Sequence, residues 1–237
     1  MTIYLPEIDS NAYQFPHPSN ALSEPNGLLA MGGDLSPKRL QTAYREGIFP
    51  WFSEGEPLLW WSPTPRGVFH PHAFMPSKSL KKFFRKSGYT ITINKACHDV
   101  IHHCASCRGP EQTWITEEMI SAYQRLHTLG ICHSVEVWSN EKLVGGFYGV
   151  EIGTVFCGES MFSLADNASK IALWQFCRYF SEVGGTLIDC QMMNPHLESL
   201  GAETFERSLF LDHLYQQRDI ILPVETYLSH VLPVAQA

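Results

Sequence analysis

The 237-residue sequence lacks any apolar run that reaches the roughly 18 residues a membrane span needs. Its longest stretch free of Asp, Glu, Lys and Arg, Ser10 to Ser23, is polar. No Lys or Arg precedes Lys38, so the charged start of a secretory signal is missing too. The expectation is a soluble, cytoplasmic protein with no membrane partner. Basic charge is in short supply: 17 Lys and Arg stand against 24 Asp and Glu, a formal net charge of -7. That excludes a basic coat over the whole surface but leaves room for a local patch. The cysteines do not form a disulfide framework. There are seven, an odd number, and they are scattered, which fits a reducing compartment. Repeats and low-complexity tracts are absent. What is present is 44% hydrophobic residues with only 17% charged ones, enough for a real core and unlike a disordered chain. Aromatics reach 12% and include six Trp.

At roughly 150 residues per domain, the length suits one large domain or two unequal ones. Composition changes near residue 65, because nine of the 15 prolines precede Arg66. Residues 1–64 read as a small, loop-rich N-terminal domain with one good helix. Ser36 is placed to cap that helix, Pro37 to start it and Gly47 to end it, with Leu40, Ala43 and Tyr44 inward. Residues 65–237 read as a more regular α+β domain. A helix is expected over Ser77–Lys86, with Leu80, Phe83 and Phe84 on one face, then a strand over Tyr89–Ile93. Thr116 begins a helix that Gly130 closes. Three strands are expected over His133–Trp138, Leu143–Val150 and Thr154–Met161. A long helix then runs from Asn167 or Ser169 to Val183, a strand over Thr186–Gln191, and a last helix over Glu206–Gln217.

A meander, a helix and a further strand, in that order, resemble the core of the GNAT (Gcn5-related N-acetyltransferase) superfamily. Acetyltransferases of that fold carry a glycine-rich loop for the coenzyme A pyrophosphate ahead of the long helix. The corresponding stretch here, Ser160 to Ser169, has no glycine, which argues against acyl-CoA as donor.

Four segments carry the chemistry: Gly47–Phe52 with Trp60-Trp61-Ser62-Pro63, Thr113–Thr116, Phe156–Ser163 and Leu187–Asn194. Together with Glu24–Leu29 and Gly32–Ser36 they resemble the leucyl/phenylalanyl-tRNA–protein transferases from about residue 13 to 205. The resemblance implies a GNAT-like C-terminal domain behind the small N-terminal one. It also implies transfer of Leu or Phe, and more weakly Met, from aminoacyl-tRNA to an N-terminal Arg or Lys, which marks the acceptor for N-degron degradation. No cofactor and no metal are implied, and a monomer is expected.

Period-2 alternation sets Leu187, Asp189 and Gln191 on one strand face and Ile188 and Cys190 on the other. Asp189 and Gln191 suit either a solvated strand end or a catalytic pair. The family's counterparts are the proposed catalytic pair, with the carboxylate orienting the amide and the amide oxygen receiving the attacking α-amine. Cys190 has no neighbouring His and makes a poor nucleophile. Alternation likewise puts Glu159, Met161 and Ser163 on one face, and Leu173, Phe176 and Phe180 share a helical stripe that reads equally as plain core. By resemblance these six residues, with Phe147 and Asn194, line the donor side-chain pocket; Phe147 stands where relatives commonly have Met. Glu159 and Asp189 offer negative charge for a basic acceptor. Trp51 and Trp114, with Tyr44 and Tyr123 nearby, are the counterparts of residues that hold the terminal adenosine, while Trp60 and Trp61 suit packing between the domains.

Lys78, Lys81, Lys82, Arg85 and Lys86 form a basic face with no acid among them, which suits tRNA phosphates better than an ordinary mixed surface. The cluster of His98, His102, His103, Cys104 and Cys107 includes a C-x-x-C spacing but no second half of a zinc site, so a helix end is the alternative. Two other functions compete with the transferase: an N-acetyltransferase-like enzyme, and a non-catalytic binder of RNA ends or basic N-termini.

Overall fold

Side-chain caps start three of the seven α-helices among the described residues. Ser77 accepts a hydrogen bond from the Leu80 amide and begins Lys78–Ser87 (α2), which Gly88 ends in a left-handed conformation. Thr116 accepts from the Met119 amide and begins Glu117–Thr128 (α4). Pro37–Arg45 (α1) departs from expectation: Ser36 makes no side-chain cap, and Asp34 Oδ1 instead accepts from the Ser36 amide at 2.8 Å. The remaining helices are Cys97–Ser106 (α3), Ala168–Glu182 (α5), Pro195–Ser199 (α6) and Arg207–Gln217 (α7).

The computed structural model describes residues 4–9, 12–107 and 115–233. Within them, Glu7–Ile8 (β1), Leu28–Gly32 (β2), Phe49–Pro50 (β3) and Leu59–Trp61 (β4) make a small sheet in the order β1-β2-β4-β3. Eight strands make the large one: Arg66–Phe69 (β5), Thr90–Ile93 (β6), Cys132–Ser139 (β7), Lys142–Ile152 (β8), Val155–Ser163 (β9), Leu187–Gln191 (β10), Glu203–Phe205 (β11) and His230–Val231 (β12). Their order is β11-β5-β10-β9-β8-β7-β6-β12. Sheet membership therefore changes between Trp61 and Arg66, beside the compositional break. The meander β6–β9 is antiparallel, and after α5 the chain returns in β10, parallel to β9. This is the meander, helix and return-strand order that the sequence suggested.

One apolar cluster, including Leu40, Tyr44, Trp60, Ile101 and Phe210, joins the small sheet, α1, α3, α4 and α7 to one face of the large sheet. A second, including Phe84, Phe147, Phe156 and Phe176, packs α2 and α5 on the other. Trp60 is fully buried and donates from its indole to the Gly32 carbonyl at 2.9 Å, so it anchors the small sheet itself. Trp61 donates to the Trp51 carbonyl at 2.7 Å and orients the Trp51 backbone.

The feature that makes a site is the parting of β9 and β10. They pair over only three positions, from Leu187 opposite Val155 to Asp189 opposite Cys157. Beyond that each strand carries an extra residue. On β9 it is Glu159, where Gly149 faces Gly158 and Tyr148 faces Ser160. On β10 it is Cys190, between Asp189 facing Val68 and Gln191 facing Gly67. Such bulges bend a strand and re-aim its side chains. Gly149 permits the first: a Cβ there would lie 2.3 Å from the Cys157 carbonyl oxygen. Among the described residues, no helix is long and apolar enough to cross a membrane.

Candidate active site

A cavity of about 560 Å³ opens where the strands part. Phe147, Met161, Leu173 and Ile188 give it an apolar wall, Trp51 and Pro50 stand on another side, and Glu159, Gln191 and Asn194 supply polar groups. The lining draws on both apolar clusters, so the cavity lies at the seam between the two faces of the large sheet.

Asp189 sits beneath this cavity and is fully buried. The Arg66 guanidinium grips it through both oxygens, Nε to Oδ1 at 2.8 Å and Nη2 to Oδ2 at 2.7 Å. The third arm of Arg66 donates to the Gly47 carbonyl at 3.0 Å, and the guanidinium lies over the rings of Phe49 and Phe210 at 5.0 and 4.4 Å. Burial works against that charge, but the Asp189 carboxylate outweighs it and holds the guanidinium above its usual range. Asp189 Oδ1 also accepts from the Gln191 backbone amide at 2.8 Å. Gln191 adopts φ 64°, a left-handed conformation that costs a non-glycine residue energy, and the Asp189 bond helps to hold it there.

Two expectations change as a result. The bulge breaks the alternation, so Gln191 joins Ile188 and Cys190 in the cavity wall while Asp189 points away into the core. And Asp189 orients the backbone of Gln191 rather than its amide. The amide is oriented by Glu159: Gln191 Nε2 donates to Glu159 Oε1 at 2.7 Å, and the Tyr123 hydroxyl donates to Glu159 Oε2 at 2.7 Å. A carboxylate only accepts, so the amide nitrogen faces it and Gln191 Oε1 is turned elsewhere. Burial, with Asp189 nearby adding to it, pushes Glu159 up to about 7. Fully buried and already holding Arg66 and the Gln191 amide, Asp189 presents no exposed oxygen to a basic acceptor.

The other expected residues divide plainly. Phe147, Glu159, Met161, Leu173, Asn194 and Trp51 line the cavity with Gln191. Phe176 and Phe180 do not: they stack on each other at 5.0 Å in the layer behind, with Phe176 5.3 Å from Phe147. Ser163 lies outside as well, because it serves the start of α5, accepting from the Ser169 amide at 3.3 Å and donating to the Ala165 carbonyl. Tyr44 and Tyr123 are buried and offer no stacking face to a base; their hydroxyls meet at 2.6 Å behind Glu159. Trp114 lies outside the described residues. Cys190 faces the cavity after all, but burial raises its thiol far above the usual range, which leaves it a poor nucleophile.

On α2, Lys78, Lys82, Arg85 and Lys86 are exposed and Lys81 is half-buried. Lys82 and Lys86 flank a shallow hollow with Ser79 and Ser87. The His and Cys cluster falls on α3 and its end and points several ways: His103 stacks on Phe162 at 4.8 Å, His102 meets Gln124 at 3.1 Å, and Cys104 is buried. Among the described residues, no three His, Cys, Asp or Glu side chains are grouped to hold a metal ion.

The residue that sequence reading missed is Arg66. Its one signal is its setting: a lone cation opening the run Arg-Gly-Val-Phe, all four buried in β5. Buried arginines need a partner.

Comparison with known proteins identifies the family. The leucyl/phenylalanyl-tRNA protein transferase model matches residues 68–215, and the model of that family's N-terminal domain matches residues 33–64. The leucyl/phenylalanyl-tRNA–protein transferase of Photobacterium profundum is 66% identical over 234 residues, 99% of each chain. That of Aliivibrio salmonicida is 65% identical over 215 residues, 90% of this chain and 91% of the other. A solved GCN5-related N-acetyltransferase from Kribbella flavida is similar at a TM-score of 0.39 and 13% identity, over 69% of this chain and 58% of that one, too slight a likeness to bear on function. These relatives place the chain among the aminoacyltransferases. The chain belongs to the leucyl/phenylalanyl-tRNA–protein transferase family.

Proposed function

We propose that the chain moves Leu or Phe, and less readily Met, from aminoacyl-tRNA to an N-terminal Arg or Lys of a protein, which marks that protein for N-degron degradation. The observation that carries this reading is the shared cavity: Trp51 and Gln191 line the same space, with Phe147, Met161 and Leu173 also in its wall. The donor side chain fills the apolar part. The terminal adenosine of the tRNA stacks on Trp51, a contact worth about 1–3 kcal/mol. Residues 1–64 present that tryptophan, and residues 65–237 carry the transfer. The basic face of α2 steadies tRNA phosphates, and Trp114 is a second candidate for the adenosine.

The acceptor α-amine attacks the ester carbonyl carbon of the aminoacyl bond. A nitrogen–carbon bond forms, the carbon–oxygen bond to the ribose breaks, and the ribose hydroxyl leaves with a proton. Gln191 Oε1 accepts a hydrogen bond from the amine and aims its lone pair. The ester is already activated relative to the amide product. A free α-amine has pKa about 7.7–8.0, so roughly a tenth is neutral at pH 7. Positioning therefore dominates, with an effect on the order of 7–11 kcal/mol open to it.

The test incubates the protein with leucyl-tRNA and a peptide beginning with Arg, without ATP. Leucine on the peptide amine supports the reading. Binding of both substrates without transfer, or dependence on acyl-CoA, overturns it. Gln191→Ala is expected to lower turnover about 10²- to 10³-fold with tRNA binding intact.

A further inference from the structure

The Gln191 amide has two faces of opposite character, and only the oxygen accepts from an amine. The barrier between the two orientations is a simple rotation, so something must choose. We propose that Glu159, backed by Tyr123 and Tyr44, is the positioning residue that turns Gln191 Oε1 toward the reacting amine, and that the enzyme works only with Glu159 ionised. This rests on the reading of Gln191 given above.

The geometry makes the chain of bonds one-directional. Glu159 receives Gln191 Nε2 on Oε1 and the Tyr123 hydroxyl on Oε2, both at 2.7 Å. The single proton of Tyr123 is thereby committed. At the 2.6 Å contact between the two hydroxyls, Tyr44 is then the donor. Burial holds both phenols well above their usual range, so both stay protonated donors. With the carboxylate ionised, every bond in the series has one sense, and Gln191 has one orientation.

Protonation reverses this. A neutral Glu159 carries an O–H that needs an acceptor, and a rotated Gln191 offers one. The amide nitrogen then faces the attacking amine as a second donor, and the bond that aims the lone pair is gone. The groups around Glu159 place the transition near neutrality. Tyr44 from α1, Tyr123 from α4 and Gln191 from β10 donate to it or to each other, Tyr148 on β8 is buried and neutral, and Asp189 adds a like charge. Arg66 is a nearby cation that feels the Glu159 charge, but its hydrogen bonds go to Asp189 and the Gly47 carbonyl.

The experiment measures kcat/KM for an Arg peptide from pH 5.5 to 8.5 at saturating leucyl-tRNA, for the native protein, Glu159→Gln, Tyr123→Phe and Gln191→Ala. Two protons must leave before reaction, one from the peptide amine and one from Glu159, so the native slope approaches two below about pH 6. Glu159→Gln is isosteric but both donates and accepts. Its slope is expected to fall to one, with a rate at pH 8 about tenfold lower and KM for tRNA within about twofold. Tyr123→Phe removes a donor to the ionised form and is expected to move the Glu159 limb to higher pH. A Glu159→Gln profile that keeps slope two and the native rate overturns the inference, as does an unmoved limb in Tyr123→Phe. Native activity in Gln191→Ala would instead overturn the reading of Gln191 itself.

Discussion

The two strands that part at the cavity each carry one carboxylate, and the protein treats the two oppositely. On the β10 side, Asp189 has a guanidinium on both oxygens, and two aromatic rings flank that cation. On the β9 side, Glu159 receives the Tyr123 hydroxyl and the Gln191 amide, and no cation is bonded to it among the described residues. A buried charge with a matched opposite charge becomes a rigid pin, here holding Gln191 in its bulge. A buried charge with neutral donors alone pays the cost of desolvation and rises toward neutrality, where it titrates. One strand thus carries a fixed frame and the other a group that responds to pH, within a single hydrogen-bonded set.

The contrast is broken most severely by Arg66→Ala. It leaves Asp189 buried and unpaired, and a loss of about 3–5 kcal/mol is expected in urea unfolding. Replacing Arg66 and Asp189 together by apolar residues of similar volume should recover most of that stability and none of the transfer, because the Gln191 backbone loses its acceptor.

Glu159→Gln tests the other carboxylate in the opposite sense. The folded state raises Glu159 to about 7 from an ordinary 4.5, mainly through burial. The folded protein therefore binds this proton more tightly than the unfolded chain. The matching stability is present below about pH 4.5 and is lost as pH rises through about 7. A residue that never ionises avoids that loss, so Glu159→Gln should be more stable than the native protein at pH 8, by about 1–3 kcal/mol, and equal to it near pH 4. Equal unfolding midpoints at both pH values would remove the distinction between the strands.

Trp51→Ala leaves both carboxylates alone. It should weaken binding of charged tRNA by about 1–3 kcal/mol in a filter or anisotropy titration, with little change for the peptide. The smallest effect concerns a surface far simpler than either carboxylate. Removing Lys82 should lower the slope of log affinity against log salt by about one, with at most a few-fold loss at low salt. A slope unchanged by Lys82→Ala would separate α2 from the RNA.

Much of this was legible beforehand. The helices α2 and α4 start at the serine and threonine expected of them, because a cap bond involves residues three apart and needs no tertiary partner. The meander and the return strand follow from alternation and turn residues. The positions of Gln191, Cys190 and Asp189 were misread for a definite reason. A bulge depends on how two strands pair, and alternation within one strand carries no record of it. Resemblance places Tyr44 and Tyr123 near the RNA end, while burial turns their hydroxyls to each other and to Glu159. Arg66 shows in the sequence only as a lone cation before an apolar run, because its partner lies 123 residues away.

Residue order alone settled the helices α1, α2, α4, α5 and α7, the β6–β9 meander with its return strand, and the family, since each depends on local spacing or on ordered motifs. The tertiary structure decided which carboxylate meets a cation and which way the Gln191 amide turns. Those outcomes depend on desolvation and on partners from distant strands and helices, and both come into being only when the two sheets close on one another.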